Sequence, residues 1–252
     1  MTLTIDKRAV AAAFGRAASG YNQYAELQRL CGERLMALAR TGSRLRVLDA
    51  GCGTGWFSQR WQQDGHRVTA LDLSSAMLRQ AAANRVADRY RQGDIEALPF
   101  ADAHFDRCWS NLAVQWCTSL PQGLAELRRV TRPGGQVLFS LPLAGSLHQV
   151  AEAWTALEAS PPLNALPGVE EVAHAGRGMA LALHPLTLTL AYPDALSALR
   201  SLKGTGVTHL HRGRTGHLLS RASLRRLDDA WPRDDRGCLL TWKLMLGVIE
   251  RE

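Results

Sequence analysis

The run Val47-Leu48-Asp49-Ala50-Gly51-Cys52-Gly53-Thr54-Gly55 decides how this chain folds. The apolar stretch Leu45 to Leu48 suits a buried parallel strand, and the glycines let the backbone turn tightly and approach a ligand. A second apolar run closes on Asp72, 21 residues after Gly51. Strand, glycine turn, helix and a second strand ending in a carboxylate build a nucleotide pocket, in which Asp72 can accept both ribose hydroxyls. A dinucleotide fingerprint would place its third glycine one position later, where this chain has Trp56. An indole there would crowd a pyrophosphate at the helix N-terminus.

Outward from this turn the chain alternates. Residues 5 to 40 read as helical with a break near Ser19-Gly20, because Leu27, Leu30, Leu35 and Leu38 recur at spacings of three to five. Thr41-Gly42-Ser43 ends that helix. A helix from about 55 to 64, a strand Arg67 to Leu71 and a helix from Ser74 or Ser75 complete one βαβ unit. Strands at Arg89 to Gln92 and Phe105 to Trp109, a helix Leu120 to Val130, the turn Arg132-Pro133-Gly134-Gly135 and the run Gln136 to Leu141 follow. This alternation predicts an α/β fold with a mostly parallel sheet. Residues 142 to 218 break it and read as an insertion, with a helix from Ser146 to about Ala159 and a strand at Leu186 to Leu190. Leu239 to Ile249 supplies a last strand.

At 252 residues, with 46% hydrophobic and 21% charged residues, the chain can bury one large α/β core and is not disordered over most of its length. The first thirty residues carry Asp6, Lys7, Arg8, Arg16, Glu26 and Arg29, and no run reaches the ~20 apolar residues of a membrane span. Both features predict a cytoplasmic protein that does not enter a membrane. Five cysteines, Cys31, Cys52, Cys108, Cys117 and Cys238, form no C-x-x-C pair, which favours buried thiols over disulfides or a metal site. A net charge of +7 and a pI near 9.6 suit an acidic partner: RNA, DNA or an acidic carrier protein.

The G-x-G-x-G turn after a strand ending in Asp resembles the first motif of class I S-adenosylmethionine-dependent methyltransferases. That resemblance implies a Rossmann-like, seven-stranded sheet with helices on both faces. It also implies that Asp49, Gly51, Gly53 and Gly55 line the methionine part of S-adenosylmethionine, and that Asp72 and Leu73 hold the ribose. Gly93-Asp94-Ile95 matches the end of the third strand, which assigns Asp94 to the adenine amino group and Ile95 to the ring face. Asn111 and Leu112 of Ser110-Asn111-Leu112 would face the cofactor from strand four. Leu127 to Gly135 resembles the signature before strand five. Base-methylating relatives carry Asn or Asp, two prolines and an aromatic where this chain has Asn111-Leu112-Ala113, which weakens a nucleic-acid substrate.

Three further segments narrow the family: Ala13 to Arg29, Asn111 to Cys117, and Leu199 to His209 with the ending Leu246 to Arg251. Together they closely resemble the malonyl-acyl-carrier-protein O-methyltransferases of biotin synthesis over nearly the whole chain. Thr54 stands where those relatives often have Pro, and Thr205-Gly206-Val207 where Ile-Gly-Ala is common. The resemblance implies methylation of the free carboxylate of a malonyl thioester, on acyl carrier protein or on coenzyme A, without metal or nucleic acid; the sequence leaves the oligomeric state open, with a monomer favoured. It implies a single methyltransferase domain: a helical cap over 1–42, a cofactor-binding core over 43–142, a substrate- and carrier-binding insertion over 143–218, and a C-terminal helix and strand over 219–252.

A carboxylate with a pKa of about 4 is already ionised at pH 7, so no general base is required. Accordingly, the sequence offers no persuasive paired acids or Ser/His/Asp arrangement, and His209 and His211 read as solvated loop residues. A positive group near the malonyl carboxylate is expected, to select that anion without gripping it tightly; Arg16 and Tyr21 are candidates for positioning the substrate and closing the site, or they are simple helix surface and packing. Lys203, Arg212 and Arg214, within a basic group that includes Arg200, Arg221, Arg225 and Arg226, are candidates for docking the carrier's acidic helix. A solvated basic face is the plainer alternative. Two rivals stay open: an RNA methyltransferase, which the charge favours, and a non-catalytic carrier-binding module, which the intact set Asp49, Gly51, Gly53, Asp72 and Asp94 argues against.

Overall fold

The computed structural model describes residues 5–204 and 220–252. Its N-terminal part is helical: α1 (Lys7–Ala17), α2 (Tyr21–Tyr24) and α3 (Glu26–Met36). Asp6 caps α1 by accepting from the amides of Arg8 and Ala9, and Gly20 separates α1 from α2. The core then alternates through β1 (Arg46–Ala50), α4 (Trp56–Gln63), β2 (Arg67–Asp72), α5 (Ser75–Ala83), β3 (Arg89–Gln92), β4 (Phe105–Asn111), α6 (Leu120–Val130) and β5 (Thr131–Pro142). A single 3-10 turn, Val114–Trp116, follows β4. Beyond β5 come α7 (His148–Thr155), α8 (Val169–Ala175), β6 (Ala180–Tyr192), α9 (Ala195–Gly204), α10 (Arg221–Ala230), β7 (Arg233–Asp234) and β8 (Gly237–Glu250).

The strands form one sheet in the order β3-β2-β1-β4-β5-β8-β6, with β7 paired off β8. The sheet therefore has eight strands among the described residues, not seven. The added strand is a two-residue hairpin arm, Arg233 and Asp234, too short to show any hydrophobic period. The first five strands pair in parallel, and β8 runs antiparallel to both β5 and β6. Successive residues of the central strands enter opposite faces: Val47 and Leu138 pack with Phe57, Trp61 and Trp109, whereas Leu48 and Phe139 pack with Leu71, Leu124 and Leu127. The insertion helix α7 is shorter than the expected run from Ser146 to Ala159, because Ser146 instead bonds the backbone of Lys243 in β8. No described helix is long and apolar enough to cross a membrane. All five cysteines are free, and Cys31, Cys108, Cys117 and Cys238 are buried.

Because β1 lies between β2 and β4, the strand order reverses beside it, and a crevice opens at the carboxyl ends of these strands. The glycine turn lies in that crevice, and the N-terminal helices close over it.

Candidate functional site

The turn after β1 owes its shape to glycine. Gly51 and Gly53 have φ of +79° and +56°, and a Cβ on Gly51 would stand 2.3 Å from that of Ala113. At Gly53 the nearest atom to such a Cβ is a Tyr21 ring carbon at 3.8 Å, so this backbone faces open space. Gly55, at φ +85°, is the N-cap of α4 and packs on Val86, and it does not line the crevice.

Two carboxylates flank the turn. Asp49 is 2% exposed and accepts from the Ser58 hydroxyl at 2.6 Å. Burial pushes its pKa up to about 7, with the Ser58 hydrogen bond opposing and the charge of Asp72 adding to the rise. Asp72 accepts from the amides of Gly53 at 2.9 Å and Ser74 at 2.7 Å. Burial raises it to about 6, and those amides restrain the rise. A pocket with two acids on its wall, Asp49 buried and Asp72 half-buried, fits a ligand that carries positive charge.

The crevice has two joined compartments. One is lined by Asp49, Gly51, Gly53, Trp56, Arg29 and Asn111. The other is lined by Asp72, Leu73, Asp94, Ile95, Asn111 and Leu112, with Lys7, Val10 and Phe14 of α1 opposite. Asn111 is fixed on both sides: its amide donates to the Gln28 carbonyl at 2.9 Å and its oxygen accepts from Ser140 at 2.8 Å. Leu112, a non-glycine residue at φ +50°, sits in the sparsely populated left-handed region where β4 ends at the crevice. Asp94 accepts from the Glu96 amide at 3.0 Å and pairs with Lys7, which also pairs with Glu96. Burial works against the Lys7 charge, but the two carboxylates outweigh it and raise its pKa.

A third cavity, partly open to solvent, adjoins both compartments. Tyr21 lines all three spaces, Gln28 the first and third, and Phe14, Leu112 and Trp116 the second and third. Its other walls come from Pro142, Ser146, Leu147, the loop 162–167, Leu202 of α9 and Trp242 of β8. Contrary to the positive group expected beside the malonyl carboxylate, no Lys, Arg or His is among its described lining residues; Tyr21, Gln28, Gln115, Ser146 and Asn164 are the polar ones. The Tyr21 hydroxyl is held neutral: burial and nearby Asp72 raise its pKa, against a hydrogen bond from Gln28.

The structure therefore brings Asp49, Gly51, Gly53, Asp72, Leu73, Asp94, Ile95, Asn111 and Leu112 together with Tyr21. Arg16 is exposed on α1 and lines none of the three spaces. Lys203 is exposed at the end of α9, and Arg212 and Arg214 lie outside the described residues. Sequence reasoning missed Arg29 and Lys7. Neither belongs to a spaced motif, and only the packing of the N-terminal helices carries them to the crevice.

These features have counterparts in known proteins. Residues 48–139 match the family model described as a methyltransferase domain. The chain is 64% identical over its full length to the malonyl-[acyl-carrier protein] O-methyltransferase of Erwinia pyrifoliae, covering 96% of that protein. It is 58% identical over 99% of both chains to the same enzyme of Erwinia billingiae. The crystal structure of YcgJ protein from Bacillus subtilis, 17% identical, shares the fold with a TM-score of 0.60 over 88% of this chain and 98% of that one. The chain belongs to the malonyl-acyl-carrier-protein O-methyltransferase family, within the S-adenosylmethionine-dependent methyltransferases of the class I fold.

Proposed function

We propose that this protein transfers a methyl group from S-adenosylmethionine to the free carboxylate of a malonyl thioester. The products are the malonyl methyl ester and S-adenosylhomocysteine, in an early step of biotin synthesis. The observation that carries the reading is the neutral, apolar cavity that meets the cofactor crevice at Tyr21 and Leu112. Asp49, Gly51, Gly53, Asp72, Asp94 and Asn111 would hold the cofactor, and the wall of two acids suits its cationic end. When bound, the cofactor supplies a methyl carbon on a positively charged sulfur.

The protein's residues have little proton chemistry to perform. The malonyl carboxylate is ionised at neutral pH; its oxygen lone pair forms the new C–O bond while the C–S bond breaks and sulfur keeps the electron pair. No proton moves. The apolar walls exclude water, which leaves the carboxylate poorly solvated and reactive, and the cavity aligns it with the methyl group. The neutral hydroxyl of Tyr21 fits the role of positioning donor: it orients the anion without the strong grip of a guanidinium, which would stabilise the ground state. Arg16, exposed on the same N-terminal segment, would act only outside the cavity.

Acyl carrier protein is the proposed macromolecular partner, in the cytoplasm, with no nucleic-acid role. Support comes from the exposed cations Arg200 and Lys203 on α9 and Arg221, Arg225 and Arg226 on α10, two helices packed together. Arg212 and Arg214 stay candidates from sequence. The test uses labelled S-adenosylmethionine with malonyl-acyl carrier protein and with malonyl-coenzyme A. The expected label is released by mild base, as an ester is, and base-stable label would overturn the reading. Arg200→Glu with Lys203→Glu should raise KM for the carrier substrate at least about fivefold more than for the coenzyme A substrate. Equal effects would move docking elsewhere.

A further inference from the structure

The amino-acid end of S-adenosylmethionine carries an ammonium and a carboxylate, and the compartment that receives it carries the buried acid Asp49. An acid repels the ligand's own carboxylate, so that group needs a cation elsewhere on the wall. Among the described residues lining this compartment, Arg29 is the one cation. We propose that Arg29 binds the amino-acid carboxylate of the cofactor, with Trp56 and Asn22 holding its guanidinium in place. The proposal rests on the cofactor assignment and extends it to a residue to which the sequence assigns no role in binding the cofactor.

The geometry around Arg29 suits that task. Its Nη1 donates to the Asn22 carbonyl at 2.9 Å, and its Cζ lies 5.2 Å from the centroid of the Trp56 ring. It makes no ion pair with any described residue. A guanidinium stacked on an indole still presents its edge, and that edge matches a carboxylate with two parallel N–H groups. The stack also explains why an indole that is 41% exposed stands at this position. Asn22 in turn accepts from the Thr54 hydroxyl at 2.6 Å, so the arginine is tied through one neighbour to the glycine turn. Preorganisation of this kind reduces the side-chain entropy lost on binding.

Tyr21 precedes Asn22, so the same guanidinium pins the segment that carries the proposed positioning hydroxyl. A carboxylate on Arg29 would thus steady the wall of the acceptor cavity as well as the donor's own end.

Calorimetry on the full chain tests this with two ligands, S-adenosylhomocysteine and 5′-methylthioadenosine, which keeps the nucleoside and sulfur but lacks the amino-acid end. Arg29→Gln should weaken S-adenosylhomocysteine at least about tenfold, the scale of a charge-assisted hydrogen bond, and leave 5′-methylthioadenosine unchanged. Arg29→Lys should recover part of the loss, because it restores charge without the fork. Equal weakening of both ligands, or no weakening of either, would overturn the proposal. If the unaltered protein bound neither ligand, the cofactor assignment itself would fall, and that failure shows before any variant is made.

Discussion

Asp49 and Asp72 are held nearer neutrality than carboxylates usually are, at about 7 and about 6, chiefly by burial. A raised pKa means that the folded protein binds protons the unfolded chain would release. The stability this contributes is complete below the ordinary carboxylate range near 4 and is lost as pH rises through 6 to 7. Ligand-free protein should therefore melt lower at about pH 7.5 than at about pH 5.5, and Asp49→Asn should flatten that difference. Thermal scans at the two pH values check it; an unchanged slope in the variant would remove Asp49 as the cause. S-adenosylmethionine, which needs the charged acids, should bind more weakly at the lower pH, opposite to the trend in stability. At Gly51 the demand is steric: the Cβ of an Ala would face Ala113 at 2.3 Å on a left-handed backbone.

The cap is the element that differs most from a plain nucleotide-binding core. Helix α1 reaches across the adenosine compartment and pairs Lys7 with Asp94 and Glu96, and Glu96 also accepts from the amides of Thr118 and Ser119 at 2.8 and 2.7 Å. One carboxylate thus joins the cap, the loop after β3 and the start of α6. Lys7→Met should leave Asp94 available to the adenine amino group but loosen the cap, so that S-adenosylhomocysteine dissociates several-fold faster in stopped-flow displacement. An unchanged dissociation rate would mean that α1 stays closed without this pair. Helix α3 of the cap was legible in the leucine spacing, and the glycine turn, Asp72 and the core strands in local periodicity or in a spaced motif, whereas α1 and α2 hold no leucine. Strand β6 was only half legible: Leu186 to Leu190 alternates cleanly, but the strand begins at Ala180 on the sheet edge and includes His184 and Pro185. Arg29 and Lys7 were not legible as site residues, because a helix surface cation becomes a wall residue only through tertiary packing. In the sequence Trp56 shows only what it excludes; its contact with Arg29, 27 residues earlier in the chain, depends on the packing of α3.

Across the whole molecule, the carboxyl ends of the parallel strands supply the donor side, while the cap, the loop 162–167, α9 and β8 enclose the acceptor cavity. The walls Pro142, Leu147, Leu163 and Trp242, with no cation among the described lining residues, favour the ester over the acid it came from. Methylation removes the one charge that the acyl group carries into that space, and the neutral product gains more from apolar contact than the substrate did. This preference predicts that departure of the ester, not bond making, sets the rate of turnover, as in many enzymes whose sites must open to release product. Rapid mixing of enzyme at near-stoichiometric concentration should give an initial burst approaching one ester per active site, followed by a slower steady rate. A linear time course from the first turnover would instead place the slow step at methyl transfer or earlier.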